Sequence, residues 1–225
     1  MIRERNIIDI RYIIDHIPKN TPNNRRPSHS MYATSITIHN TGNPRSTARN
    51  ERNWLINSAN DRTASYHIVV DEHRAIECIP LNENAWHAGD GSSITSGNRT
   101  SIGIEICESG DYEKTIRNAA ELVAILLMER GWDIERLRRH FDWSGKICPR
   151  LMYDGGKWTG WLEFKSRVAD QLQRKGGERM LKAEDANKII PFISAAYMAT
   201  EDSESRKEFN RLANELRTAS GQPKQ

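Results

Sequence analysis

Arg139-His140-Phe141-Asp142-Trp143-Ser144-Gly145-Lys146-Ile147-Cys148-Pro149 is the stretch on which the reading of this chain turns. It places a histidine and a cysteine eight residues apart, His140 and Cys148, with Lys146 two positions before the thiol. Imidazole and thiolate are zinc ligands, and a catalytic zinc takes three protein ligands and leaves a fourth position to water. The third ligand must then come from elsewhere. His39 is the best placed, because Ser35-Ile36-Thr37-Ile38 is a short β-branched run that reads as a strand and delivers His39 to the end of a sheet. The chain has no Cys-x-x-Cys or His-x-x-x-His pair, so the spacing is not that of a structural zinc finger. Taken alone, it is also the spacing of two unrelated side chains.

Outward from these two stretches, residues 66–70 and 74–79 read as strands joined in a hairpin by Asp71-Glu72-His73. Residues 101–107 read as a central strand, apolar apart from Glu105 and the ends. A carboxylate there is costly to bury unpaired. Alternation puts Glu105 on the face of Gly103 and Cys107, so it either opens onto a cleft or sits in a structural ion pair. The intervening residues 81–100 carry Gly89, Gly91 and Gly97 among Asn, Ser and Thr and read as loop.

A helix is expected from Ser46 or Thr47 to Asn60. The clearest helix covers 111–130, with Ile116, Ala119, Ala120, Val123, Leu126 and Leu127 as its apolar stripe and Gly131 as its stop. Residues 134–138 read as one short turn, and 158–174 as the last helix of the domain, ended by Gly176-Gly177. The expectation is an α/β fold: a mixed central β-sheet flanked by helices, with a small C-terminal α-helical appendage.

Residues 1–30 read as an arm packed on this domain, residues 31–175 as the domain itself, 176–181 as a linker and 182–225 as a small helical module. In the module one helix is expected near 183–200 with Pro191 inside it, and a second near 205–218 started by a Ser205/Glu208 capping box. The pair can bind a ligand, form a homodimer or pack back.

Composition narrows the classes. With 225 residues, 37% of them hydrophobic and 28% charged, the chain suits one ordinary domain plus a smaller module. No apolar run approaches the roughly 20 residues of a membrane-spanning helix, so no stable membrane insertion is expected. Asp9, Arg11 and Asp15 interrupt the N-terminal apolar cluster, which argues against a signal peptide and for synthesis in the cytoplasm. A net charge of +3 is too small to suggest nucleic acid. Arg136, Arg138, Arg139, Lys146 and Arg150 crowd the metal stretch against one acid, Asp142, a patch that suits an anionic polymer or is a solvated face. Three cysteines do not make a disulfide framework, and Cys78 and Cys107 read as buried, inert thiols.

Ile38-His39-Asn40-Thr41, Ala85-Trp86-His87-Ala88-Gly89-Asp90, Ser101-Ile102-Gly103-Ile104-Glu105 and His140-x7-Cys148-Pro149 occur in the order they take in zinc-dependent N-acetylmuramoyl-L-alanine amidases. These are the amidase type 2 enzymes of phage endolysins and bacterial autolysins, related to the peptidoglycan recognition proteins, and residues 20–172 resemble them. The resemblance implies one catalytic Zn²⁺ on His39, His140 and Cys148. It implies Glu105 as the base that takes a proton from zinc-activated water, and Lys146 as the cation that stabilises the oxyanion. Tyr66 matches the place where a tyrosine approaches the zinc-bound water, although other relatives carry phenylalanine there. Asn40, Trp86, His87, Asn98 and Trp143 are implied as substrate-binding residues. The partner is bacterial peptidoglycan, cleaved between N-acetylmuramic acid and L-alanine. Lysins of this kind accumulate inside the cell and act on the wall after release.

Two other readings compete. Cys148 in a cationic setting would suit a cysteine peptidase with His140 or His39 as base, and a groove without catalysis would suit a peptidoglycan-binding module. A glycosidase would need two carboxylates flanking a sugar bond, and only Glu105 has such a setting.

Overall fold

A computed structural model describes residues 3–7, 10–179 and 183–223, with residues 3–7 and 176–179 described by their backbone alone. The chain divides into two compact units, Met1–Leu172 and Gln173–Gln225.

The first unit is built on a mixed sheet of seven strands in the order β1-β2-β5-β4-β6-β3-β7. These are β1 (Arg3–Ile7), β2 (Ile10–Ile14), β3 (Ser35–Asn40), β4 (Ile68–Val70), β5 (Arg74–Glu77), β6 (Ser101–Ile106) and β7 (Leu137–Arg139). Strands β4, β6, β3 and β7 run parallel to one another, β4 and β5 form the expected antiparallel hairpin, and β2 pairs parallel with β5. Helices α1 (Ala48–Ile56), α2 (Gly97–Thr100), α3 (Tyr112–Glu129), α4 (Phe141–Ser144) and α5 (Thr159–Arg179) complete the unit, α5 running on past its end.

Alternation along the strands sorts the side chains between two faces. Ile36 and Ile38 of β3 and Ile102, Ile104 and Ile106 of β6 join one apolar cluster with Leu122, Val123 and Leu126 of α3 and Trp161, Phe164 and Val168 of α5. Each fully buried side chain of this size contributes about 1.5–3 kcal/mol of apolar transfer. Val69, Ile76, Cys78 and Cys107 form a second cluster with Ala48 and Leu55 of α1. On β3 and β6 this second face carries Thr37, His39, Gly103 and Glu105, so its apolar packing gives way to polar groups at the ends of the strands.

Local chemistry accounts for the helix limits. Thr47 and Asn50 exchange hydrogen bonds in a capping box at the start of α1. Asp111 accepts from the Lys114 amide to start α3, and Gly131 at φ +64° ends it. Arg25 is fully buried and donates to the carbonyls of Leu55, Asn57, Asn60 and Arg62, fixing the loop that leaves α1.

Several expectations are revised. The N-terminal arm is two strands of the sheet itself, because Ile10 and Ile13 find buried places beside β5; Ile8 lies outside the described residues. Residues 137–139 form a strand beside β3 rather than a continuation of the 134–136 turn. Gly176-Gly177 does not break α5, which runs to Arg179; positions 180 and 181 of the expected linker lie outside the described residues.

The second unit holds α6 (Ala183–Ala199), with Pro191 inside it, and α7 (Ser203–Ala219). Asp202, whose carboxylate accepts from the Ser205 amide, caps α7 in place of the expected Ser205. No helix among the described residues is long and apolar enough to cross a membrane.

Candidate metal centre

The parallel ladder brings the candidate ligands together. His39 is the Cα partner of Glu105 across β3 and β6, and β7 on the other side of β3 leads directly into His140. The chain then turns through α4 and Gly145, left-handed at φ +73°, and returns Cys148, whose carbonyl accepts from the Phe141 amide.

Nδ1 of His39 lies 3.0 Å from Nδ1 of His140 and 3.8 Å from Sγ of Cys148. Ligand atoms of all three residues lie within 4.8 Å of one another, and all three residues are buried. Among the described residues no other group of histidine, cysteine and acid is so placed. A larger cavity of about 630 Å³ between β2, β5 and α3 contains no such set; its Glu77 carboxylate is bonded to Tyr12 and His16.

The electrostatics match what a cation requires. Burial, neighbouring histidines and Lys146 hold His39 well below the usual imidazole range, and burial with Lys146 lowers His140 to about 4. Both rings are therefore neutral bases at pH 7. Burial pushes the Cys148 thiol up to about 12 and the Glu105 carboxyl up to about 8. Oε2 of Glu105 is a buried oxygen without a hydrogen-bond partner. Two neutral nitrogens and a thiol facing each other, beside a carboxyl without a partner, are a donor set that a divalent zinc ion fits.

A cavity of about 330 Å³ opens over this cluster, lined among others by His39, Glu105, His140, Lys146, Cys148 and Tyr66. Lys146 is exposed on its rim. The Tyr66 hydroxyl donates to the Glu51 carbonyl at 2.9 Å and also lies 3.3 Å from that residue's carboxylate, so it is tied to α1. Glu51 itself lines the cavity and its pKa is raised by burial; it carries no motif, and the sequence reading missed it.

The five expected groove residues divide. Trp86 lines the cavity, part-exposed, its indole N–H donating to Asn24. Trp143 is held by its N–H to Thr37 Oγ1 at 2.8 Å and lies over Gly97, where a Cβ would come within 2.5 Å of the ring. The Asn40 carboxamide bonds Tyr112 and the Leu151 amide, tying β3 to the chain beyond Cys148. Asn98 is buried, its Oδ1 accepting from the His87 and Ala88 amides and its Nδ2 donating to Gly91. His87 is mostly buried too, behind His39, and like Asn40 it contributes to the lining of the cavity.

The basic patch is smaller than its sequence suggests. Arg139 pairs with Asp142, and Arg150 pairs with Glu108, an acid that the linear sequence does not place nearby.

The comparisons with known proteins agree with this geometry. The family model for N-acetylmuramoyl-L-alanine amidase matches residues 29–151, more than half the chain. N-acetylmuramoyl-L-alanine amidase CwlA of Bacillus subtilis (strain 168) is 44% identical over 152 residues, 66% of this chain and 53% of that protein. N-acetylmuramoyl-L-alanine amidase XlyB of the same strain is 48% identical over 158 residues, 68% and 47% respectively. The chain thus spans about half the length of these relatives. The solved catalytic domain of XlyA superposes with a TM-score of 0.62 at 41% identity, covering 70% of this chain and 98% of that domain. PlyL superposes at 0.60 and 37% identity, covering 69% of this chain and 94% of that structure. A motif order, a sheet and a ligand cluster that agree with a family model across residues 29–151 lead to one conclusion: the chain belongs to the N-acetylmuramoyl-L-alanine amidase family of type 2.

Proposed function

We propose that this chain is a peptidoglycan hydrolase that cleaves the amide between N-acetylmuramic acid and L-alanine with water and without a covalent enzyme intermediate. The observation that carries this reading is the meeting of His39, His140 and Cys148 beside the Glu105 carboxyl in one cavity. His39 and His140 would hold one Zn²⁺ through Nδ1 and Cys148 through Sγ. When bound, that ion supplies Lewis acidity toward the amide carbonyl and toward water.

The remaining work belongs to the chain. Glu105 takes the proton of the attacking water and later returns it to the departing amine, which a carboxyl with its pKa raised toward neutrality does well. Lys146 offers an ammonium at the rim of the cavity to the oxyanion of the attacked carbonyl. Tyr66 forms the wall by Glu51 and contributes shape rather than a proton. Trp86 supplies an aromatic edge on which a sugar face can stack.

The name of each relative supports the amide, and the absence of a long apolar helix among the described residues is compatible with release from the cytoplasm onto the wall. Residues 173–225 would serve as a wall-binding or dimerising module, to which Ile189, Phe192 and Met198 offer exposed apolar side chains. A cysteine peptidase fits poorly, because a thiol raised to about 12 is not a thiolate at neutral pH without a metal.

The test is digestion of purified bacterial walls, following new alanine amino termini and new reducing sugars together. Release of amines without sugars, abolished by EDTA, restored by Zn²⁺ and absent in His39→Ala, supports the reading. Activity that survives EDTA and dies in iodoacetamide would replace it by the peptidase, and binding of muropeptides without release would replace it by the module.

A further inference from the structure

His87 stands in one of the quoted motifs and lines the cavity, yet it is only 7% exposed, packs behind His39 and lies outside the three-residue ligand set. Both of its ring nitrogens are engaged. Nε2 lies 3.0 Å from the carbonyl oxygen of Ser101, which can only accept, so this nitrogen carries the hydrogen. Nδ1 is then bare and lies 3.1 Å from Nε2 of His39. A bare nitrogen can only accept, so the His39 hydrogen is on Nε2, and His39 Nδ1 is left with its lone pair directed at His140 and Cys148.

On this basis we infer that His87 is a positioning residue: it selects the tautomer of His39 and so presents Nδ1 to the metal. The inference rests on the metal-dependent reading above and adds to it a role for a side chain outside the ligand set.

Three further observations show that the ring is held for this purpose. First, it lies flat on Gly103, where any Cβ would come within 2.6 Å of the His87 ring. An alanine at Gly103 would push the ring off the line between Ser101 and His39. Second, the backbone at His87 is fixed by Asn98, whose single Oδ1 accepts at 2.6 Å from the amide of His87 and at 2.7 Å from that of Ala88. Third, His67 closes the far side, 5.7 Å away between ring centroids, and is locked in turn by the Gly103 amide donating to its Nδ1 and by the Glu83 carbonyl at its Nε2. The second ligand, His140, sits against the same segment, its Nε2 within 3.2 Å of where a Cβ at Gly89 would stand. His87 thus orients the His39 imidazole from behind, as outer partners of metal-bound histidines generally do.

The experiment is a zinc competition titration against a chromophoric chelator on the full chain, comparing wild type with His87→Asn, His87→Gln and His87→Leu. An asparagine side chain can put its Oδ1 where Nδ1 stood, and so keeps an acceptor for His39. A glutamine reaches toward Ser101 but leaves His39 without one. The expected order is wild type and His87→Asn within about threefold of each other, with His87→Gln and His87→Leu weaker by about 10- to 100-fold.

Asparagine as weak as leucine, or glutamine as strong as wild type, overturns the inference, because packing alone would then explain the site. Should all three variants fail to fold, long-range ¹H–¹⁵N correlation on zinc-loaded wild type decides it: His87 protonated at Nε2 and bare at Nδ1 supports the role, and the reverse tautomer refutes it. Wild type that binds no zinc would instead defeat the metal-dependent reading itself, which keeps the two failures apart.

Discussion

Replacing Glu105 by glutamine separates the chemical role of the carboxyl from its structural cost. Without metal, burial raises this carboxyl from 4.5 to about 8, with Glu51 adding to the rise and Lys146 opposing it. The folded state therefore binds the proton more tightly than the unfolded one. Stability from this group is complete below about pH 4.5, falls as pH rises toward about 8, and changes no further above that. A shift of about 3.5 units at about 1.36 kcal/mol each sets an upper bound of about 5 kcal/mol on the loss.

Glutamine has no proton to lose, so Glu105→Gln should match wild type near pH 4.5 and exceed it by several kcal/mol near pH 8.5, in EDTA. Urea unfolding across that range measures the gap, and Zn²⁺ should narrow it, because a nearby cation favours the carboxylate. The same variant should lose about 10²- to 10⁴-fold in wall hydrolysis while its zinc affinity stays within a few fold. Parallel stability curves across the range, or turnover at the wild-type rate, would refute the assignment.

Cys148→Ser should weaken zinc binding by at least about tenfold, since the hydroxyl does not ionise as the thiol does, and dialysis followed by metal analysis measures it. Because the thiol is protonated in the metal-free protein and the two histidines are neutral, each ion bound should release at least one proton, mainly from Cys148. Apparent affinity should then rise about tenfold or more per pH unit between about pH 6.5 and about pH 8, whereas a flat profile would contradict the thiol assignment. Tyr66→Phe should keep activity within a few fold, since its hydroxyl is tied to Glu51; a loss of about 100-fold would place that hydroxyl in the reaction. Arg25→Met should cost about 2–4 kcal/mol in unfolding free energy by orphaning the buried carbonyl groups it satisfies.

The parts of the molecule that were legible in sequence are those where one residue type has one use. The β-branched run into His39, the alternation that isolates Glu105 and the stripe of α3 all announce their structure through period and composition. The short β7 and the N-terminal pair of strands do not, since three or five residues carry too little pattern and owe their state to neighbours distant in the chain. The double glycine at 176–177 misled for the same reason: its propensity is a weak prior that a long helix overrides. In the site, motif order pointed to residues without distinguishing their duties. His87 and Asn98 stand in a segment expected to meet substrate; His87 does line the cavity, but hydrogen bonds to His39, Ser101 and the loop amides also engage the two side chains. Only three-dimensional hydrogen-bond partners carry that distinction.

His39 and Glu105 face each other as register partners on adjacent parallel strands, so backbone amides set the spacing between the candidate metal ligand and the proposed proton acceptor. Slippage by a single residue would turn one of them to the opposite side of the sheet. Connecting segments around the cavity can accordingly lengthen, shorten or exchange side chains without retuning the reactive pair. In such an architecture, if the proposed activity holds, preference for one wall chemistry over another is free to drift at the periphery while the paired strands stay unaltered.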